Sequence, residues 1–143
     1  MEVGNAVVDE IFAKYEGKDA EIQNLPEPDR SVILSVSAQA IIDTGGFITF
    51  FEDDIEANLD FQVFVDAYRR IGMDKLADNL SEVLALFPGG KPQPDLNERQ
   101  LYLARFFEDE SPEYINIIGA LENAFFDNND AIYQGAAAYC EAM

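Results

Sequence analysis

The sequence predicts an all-α fold, a single compact domain of about seven helices around a buried central helix. Three observations carry that reading. Apolar residues recur at the 3–4 spacing of one helical face through most of the chain. Glycine and proline breakers separate these stretches. One stretch, Asp29 to Thr44, is apolar nearly all round, as a helix enclosed by others must be. A chain of 143 residues suffices for one core burying about 70% of the unfolded surface. Eleven Phe and six Tyr are too many for a disordered acidic tail, so a folded domain spanning 1–143 is expected.

The elements follow in chain order. Val7, Val8, Ile11, Phe12 and Tyr15 share one helical face, and Gly17 supplies a stop. The segment LPEPD breaks the chain, because proline fixes φ and restricts the residue before it. The apolar stretch follows, with Asp29 or Ser31 near its cap. Its β-branched residues would allow a strand, but sixteen residues is long for one. Gly45 and Gly46 end it, and Phe47, Phe50 and Phe51, at i, i+3 and i+4, pin the turn into the core. Phe64, Ala67, Tyr68 and Ile71 mark the next helix, closed by Gly72. Leu76, Ala77, Leu80, Val83, Leu84 and Phe87 mark another, stopped by PGGKPQP. Asp95 and Glu98 form an Asp-x-x-Glu start signal for a helix running to about Phe107. Ser111 at a cap and Pro112 at the first helical position open a helix with Tyr114, Ile117, Ile118, Leu121 and Phe125 inward. The last helix starts near DNND and buries Ile132, Ala136, Tyr139 and Cys140.

Charge is the most unusual property. The chain holds 28 acids and 9 bases, a net charge of −19. Phosphate would be repelled, so nucleic acid is not expected as a direct ligand, while basic partners would associate quickly and salt-sensitively. The distribution is more telling than the total. From Ser31 to Tyr68 there are seven acids and no base, and from Phe106 onward eight acids and no base. Ordinary surfaces intersperse the signs. If the segment after Phe51 is helical, Glu52, Glu56 and Asp60 share one face at about 6 Å spacing. DNA phosphates are set at a comparable spacing. A solvated helix face would show the same pattern.

Several chemistries are excluded or weakened. Without histidine, Ser–His and Cys–His nucleophile systems cannot form. Cys140, the only cysteine, permits no intrachain disulfide and reads as a structural thiol. Gly89, Gly90 and Lys91 lack phosphate-loop spacing, so both glycine pairs read as helix ends needing positive φ. Asp54, Glu56, Asn58 and Asp60 alternate like the start of an EF-hand. Leu59 and Val65, however, occupy the positions that require glycine and a bidentate acid. No metal, cofactor or catalytic residue is therefore expected. No unbroken apolar run reaches the length of a membrane span. The start MEVGNAVVDEIF lacks the basic region of a signal peptide. These features predict a cytoplasmic protein.

Three segments carry a family resemblance: IIDTGGFITFF at Ile41–Phe51, AYRRIGMDKLADNLSEVLALFP at Ala67–Pro88, and LENAFFDNNDAIYQGAAAYCEAM at Leu121–Met143. They resemble a family of bacterial domains of unknown function that includes an acidic DNA-mimic protein. The resemblance covers about Asp29 to the C-terminus. Its most specific part is Gly-Gly-Phe-x-x-Phe-Phe, Gly45 to Phe51. Glu52 stands where asparagine commonly follows the aromatic pair, and Gly72-Met73 replaces Gly-Ala. The resemblance implies a helical homodimer whose negative surface occupies the DNA-binding face of a helix-turn-helix transcription factor.

The resulting expectation is a non-enzymatic interaction protein that masks a basic surface, with no direct contact to nucleic acid or membrane. Glu52, Asp53, Asp54, Glu56 and Asp60 would form one partner-binding patch, and Glu108, Asp109, Glu110 and Glu113 another. Gly45, Gly46, Phe47, Phe50, Phe51 and Gly72 would be structural. The alternative is an immunity protein that neutralises a basic nuclease toxin.

Overall fold

A computed structural model of the chain describes residues 3–18, 21–52, 60–104, 112–126 and 128–142. Seven α-helices form among them: α1 (Val3–Tyr15), α2 (Asp29–Glu52), α3 (Gln62–Arg70), α4 (Asp74–Leu84), α5 (Leu96–Leu103), α6 (Pro112–Asn123) and α7 (Asn129–Ala142). Short 3-10 turns lie at Ile22–Asn24 and Pro88–Gly90. No strand occurs among the described residues. The fold is all-α, as the periodicity predicts.

Helix α2 is the hub. It packs against α1, α3, α5, α6 and α7, while α1 also lies on α7, and α3 and α6 both pack on α4. Val32, Leu34, Ala38, Ile42, Phe47, Phe50 and Phe51 are all buried along it. By length and composition α2 could also cross a membrane, with mean hydropathy 1.4. Counting unbroken apolar runs did not reveal this, because Ser, Gln, Asp, Thr and Gly punctuate the helix. Its neighbours account for that apolarity, since 56% of the relevant window is buried inside the fold.

Helix α2 starts at Asp29 as expected, but its capping bond and its bend differ from the simplest reading. Neither Asp29 nor Ser31 supplies the cap. Instead Glu27 Oε1 accepts the Ser31 N–H at 3.2 Å, and the Asp29 carboxylate turns toward α1. At the glycine pair the chain does not turn away. It kinks at Gly46 (φ 75°, ψ −168°) and continues at once as helix to Glu52. Gly45 stays in the helix, so only the second glycine of the pair uses a backbone closed to other residues. Gly89 and Gly90 both take positive φ.

Helix α3 ends as expected at Gly72 (φ 84°). Met73 N–H reaches Tyr68 O at 2.9 Å and Gly72 N–H reaches Arg69 O at 3.1 Å, the paired bonds of a Schellman motif. Asp95 caps α5, accepting the Glu98 N–H at 3.0 Å. That helix ends at Leu103; Phe107 and Ser111 lie outside the described residues. In α6 the inward stripe is narrower than predicted. Ile118 is buried and Leu121 half-buried, but Ile117 is 47% exposed. The side chain of Tyr114 lies outside the described set. Phe125, just past α6, is fully buried. Ile132 and Ala136 of α7 are buried, and Tyr139 and Cys140 are half-buried.

Candidate functional site

The acidic segment follows α2 in sequence, and the C-terminal end of α2 is anchored by stacked rings. Phe47, Phe50 and Phe51 have no exposed surface. Phe50 meets Phe64 edge-on at 5.0 Å, Phe51 meets Phe87 at 4.9 Å, and Phe47 meets Phe125 edge-on at 5.2 Å. Each such pair adds about 0.5–1.5 kcal/mol beyond area burial. The sequence spacing of the three phenylalanines thus corresponds to three separate ring contacts, to α3, to the loop after α4 and to the α6–α7 junction.

A second anchor is invisible in the sequence. Arg99 of α5 is only 2% exposed. Its Nε donates to Phe51 O at 2.6 Å and its Nη1 to Gln93 O at 2.7 Å, and the guanidinium lies 5.0 Å from the Phe61 ring. Gln100 Nε2 donates to Glu52 O at 3.2 Å. Helix C-termini leave carbonyls unpaired and carry partial negative charge. Here α5 supplies a cation and an amide to two of those carbonyls from 48 residues away in sequence. Arginine in an Asp-x-x-Glu-Arg helix start gives no signal of burial, so reading the chain alone could not single it out.

The predicted partner-binding acids fall mostly outside the described residues. Glu52 is half-buried and Asp60 exposed. Asp60 Oδ1 accepts the Gln62 N–H at 2.9 Å, which places a carboxylate at the N-terminus of α3, where the helix dipole favours it. Asp53, Asp54 and Glu56 lie outside the described residues, as do Glu108, Asp109, Glu110 and the side chain of Glu113. The shared face expected for Glu52, Glu56 and Asp60 rests on that undescribed segment.

Other acids of the base-free blocks turn inward. Glu122 Oε1 accepts the Phe47 N–H at 2.7 Å, taking the first amide after the Gly46 kink. Asp43 Oδ1 accepts from Gln39 Nε2 at 3.0 Å. The same Gln39 amide donates to Phe125 O at 2.6 Å, and Tyr68 Oη donates to Gln39 Oε1 at 3.0 Å. Burial, reinforced by Asp43, pushes the Tyr68 hydroxyl well above its ordinary range and keeps it a donor. These acids and amides hold the α6–α7 junction against α2 and α3.

Several bases are paired with particular carboxylates, most of them at the surface. Lys14 and Tyr15 of α1 reach Asp29 Oδ2 at 2.8 and 2.5 Å. Burial works to raise the Asp29 carboxyl, but these two partners outweigh it and hold it below its ordinary value. Arg30 pairs with Glu27 at 2.9 Å, Arg70 lies 3.6 Å from the same oxygen, and Tyr139 donates to Oε1 at 3.2 Å. Burial would likewise raise Glu27, yet Ser31 and Arg30 together hold it below its ordinary range. Arg69 pairs with Asp74 and Asp78. With Arg99 buried as well, most of the positive charge is directed at particular carboxylates or carbonyls.

Among the cavities, one is lined by the carboxylates Asp9 and Glu16 and another by Asp60 with Lys91. Among the described residues no group of three or more His, Cys, Asp or Glu is arranged to hold a metal ion. Burial raises the Cys140 thiol above its ordinary value, with Asp29 adding to the effect, so it is a poor nucleophile.

No curated protein and no solved structure matches the chain. A family model does match, over residues 23–143, which includes the Gly-Gly-Phe-x-x-Phe-Phe segment, the Arg99 anchor and every helix from α2 to α7. The chain therefore belongs to the family of DMP19-like proteins.

Proposed function

We propose that the chain is a non-enzymatic, acidic interaction protein of the DNA-mimic type. It masks the basic DNA-binding surface of a partner such as a helix-turn-helix transcription factor. The observation that carries this reading is where the bases go. Lys14, Arg30, Arg69 and Arg70 are in ion pairs and Arg99 is buried. The 28 acids exceed the nine bases by 19, and these five bases are already held by particular partners. Unbalanced charge costs stability through self-repulsion, and the aromatic and Arg99 anchors at the root of the acidic segment offset that cost. Such a surface attracts a DNA-binding face as phosphates do, by replacing its counterions.

In this reading Glu52, Asp53, Asp54, Glu56 and Asp60 contribute one patch, Glu108, Asp109, Glu110 and Glu113 another, and the chain acts as a homodimer in the cytoplasm. The test is capture of the basic partner from the source cell, followed by binding with Glu52, Asp53, Asp54 and Glu56 changed together to Lys. Binding should fall at least about tenfold and lose most of its salt dependence. DNA should compete with the wild-type chain for the same partner. Unchanged binding of the charge-reversed chain would refute the patch, and failure of DNA to compete would refute the mimicry. A partner that proves to be a nuclease would favour the immunity reading instead.

A further inference from the structure

A groove lies between α1 and α2, lined by none of the predicted partner-binding acids. Its larger part is a cavity of about 540 Å³ with Leu25 and Ile33 at its base and Phe12, Tyr15 and Ile22 among its walls. A second cavity of about 300 Å³ lies beside it, lined by Val8, Val36, Ser37, Ala40 and Tyr133. Asp9 and Phe12 line both, so the two cavities are neighbours along the seam between α1 and α2. On α2 the lining positions are 33, 36, 37 and 40, and on α1 they are 8, 9, 12, 13, 15 and 16. The α2 set follows i, i+3, i+4, i+7 and the α1 set spans a similar length, so each helix contributes about two turns, roughly 10 Å. The floor is apolar. Exposed Asp9 and Glu16 line its edge with Lys18, and the bordering segments expose Glu10 and Glu21 beside Lys14, which is paired with Asp29.

We infer that this groove is a docking site for a cationic amphipathic helix of a partner protein. Helix-in-groove recognition presents apolar anchors at i, i+3, i+4 and i+7 to an apolar groove, and this groove offers two turns of such contact. Charge complementarity selects the occupant. An acidic edge on a chain of net charge −19 attracts a helix with basic flanks. The site also differs from the acidic display in its residues. Its α1 wall lies ahead of the family match, which begins at residue 23. The inference therefore stands independently of the masking function proposed above.

The test uses the full chain and a fluorescein-labelled 16-residue peptide with Leu at helical spacing and Lys elsewhere. A scrambled peptide of identical composition is the control, and anisotropy is read at about 0.15 M NaCl, where exposed charges are screened beyond about 8 Å. The amphipathic peptide should bind at least about tenfold tighter than the scrambled one, a difference of about 1.4 kcal/mol. Ser37→Gln/Ala40→Gln, which narrows the groove without changing charge, should weaken it at least about tenfold. Asp9→Lys/Glu16→Lys should weaken it and reduce its salt dependence. Glu52→Lys/Asp60→Lys should leave the preference for the amphipathic peptide intact. Amide shifts in the ¹⁵N spectrum should cluster at α1 and α2. Circular dichroism verifies that each variant folds. Equal affinity for both peptides, an unaffected Ser37/Ala40 variant, or shifts centred on Glu52 and Asp60 would each overturn the inference. So would self-association that the Ser37/Ala40 variant abolishes, since a second copy would then be the occupant.

Discussion

Replacing Gly46 with alanine tests the kink in α2 that precedes the acidic segment in sequence. Gly46 combines φ 75° with ψ −168°, a region open essentially to glycine alone, and forcing another residue there costs about 1–3 kcal/mol. The added Cβ would also fall on Glu122 Oε1, the atom that accepts the Phe47 N–H at 2.7 Å. Displacing that carboxylate forfeits a charge-assisted hydrogen bond worth about 1.5–3 kcal/mol. The two effects together predict a loss of about 2.5–6 kcal/mol, a large part of the 5–15 kcal/mol available to a domain. In urea, with a slope of about 2 kcal/mol/M, the midpoint should drop by about 1.2–3 M. Glu122→Ala alone should lose only the hydrogen bond, about 1.5–3 kcal/mol. The double variant Gly46→Ala/Glu122→Ala should be no worse than Gly46→Ala, because the same bond cannot be lost twice. A Gly46→Ala loss below about 1 kcal/mol, or fully additive losses in the double variant, would refute this account of the kink.

Further predictions follow from the buried charges. Arg99→Met should strand Phe51 O and Gln93 O and cost about 2–5 kcal/mol by urea melting, and a neutral result would mean that water replaces the guanidinium. Glu27 and Asp29 are held below their ordinary pKa values. Their stabilisation is therefore fully present above the unfolded carboxylate values, near pH 4, and is lost as pH falls through the lower folded values. Glu27→Gln should flatten that acid limb in thermal melts from pH 6 to 2, and an unchanged limb would show that other carboxylates govern it. With net charge −19, the melting temperature should rise from about 0.02 to 0.2 M NaCl as screening relieves self-repulsion. A flat or falling temperature would mean that the charges are already neutralised.

The places where sequence reading and structure diverge have physical causes. Helical spacing places Ile117 inward because it sits beside Ile118 and four before Leu121, but α6 meets α2 and α4 along a stripe too narrow to cover it. Either glycine of the pair could have carried the break. The choice of Gly46 depends on the Glu122 carboxylate waiting where its side chain would be. Asp29 resembles a cap, yet Lys14 and Tyr15 claim its carboxylate and Glu27 takes over the capping bond.

Local signals were sufficient for much of the fold. The 3–4 apolar spacing, Gly17, Gly72, the Asp95 cap and Pro112 at a helix start determine an all-α chain, because each acts within one or two turns of backbone. The all-round apolarity of residues 29–44 determines the central helix, because only enclosure by other helices can bury every side. Composition determines the charge. Tertiary structure alone decided which acids face inward, since Glu122 and Asp43 look in sequence like the acids that remain exposed. It alone decided that Arg99 is spent on the end of α2, and that α1 and α2 leave an apolar groove between them. Each of these depends on a partner brought close from tens of residues away, and no local pattern records which carbonyl, amide or helix face that partner will be.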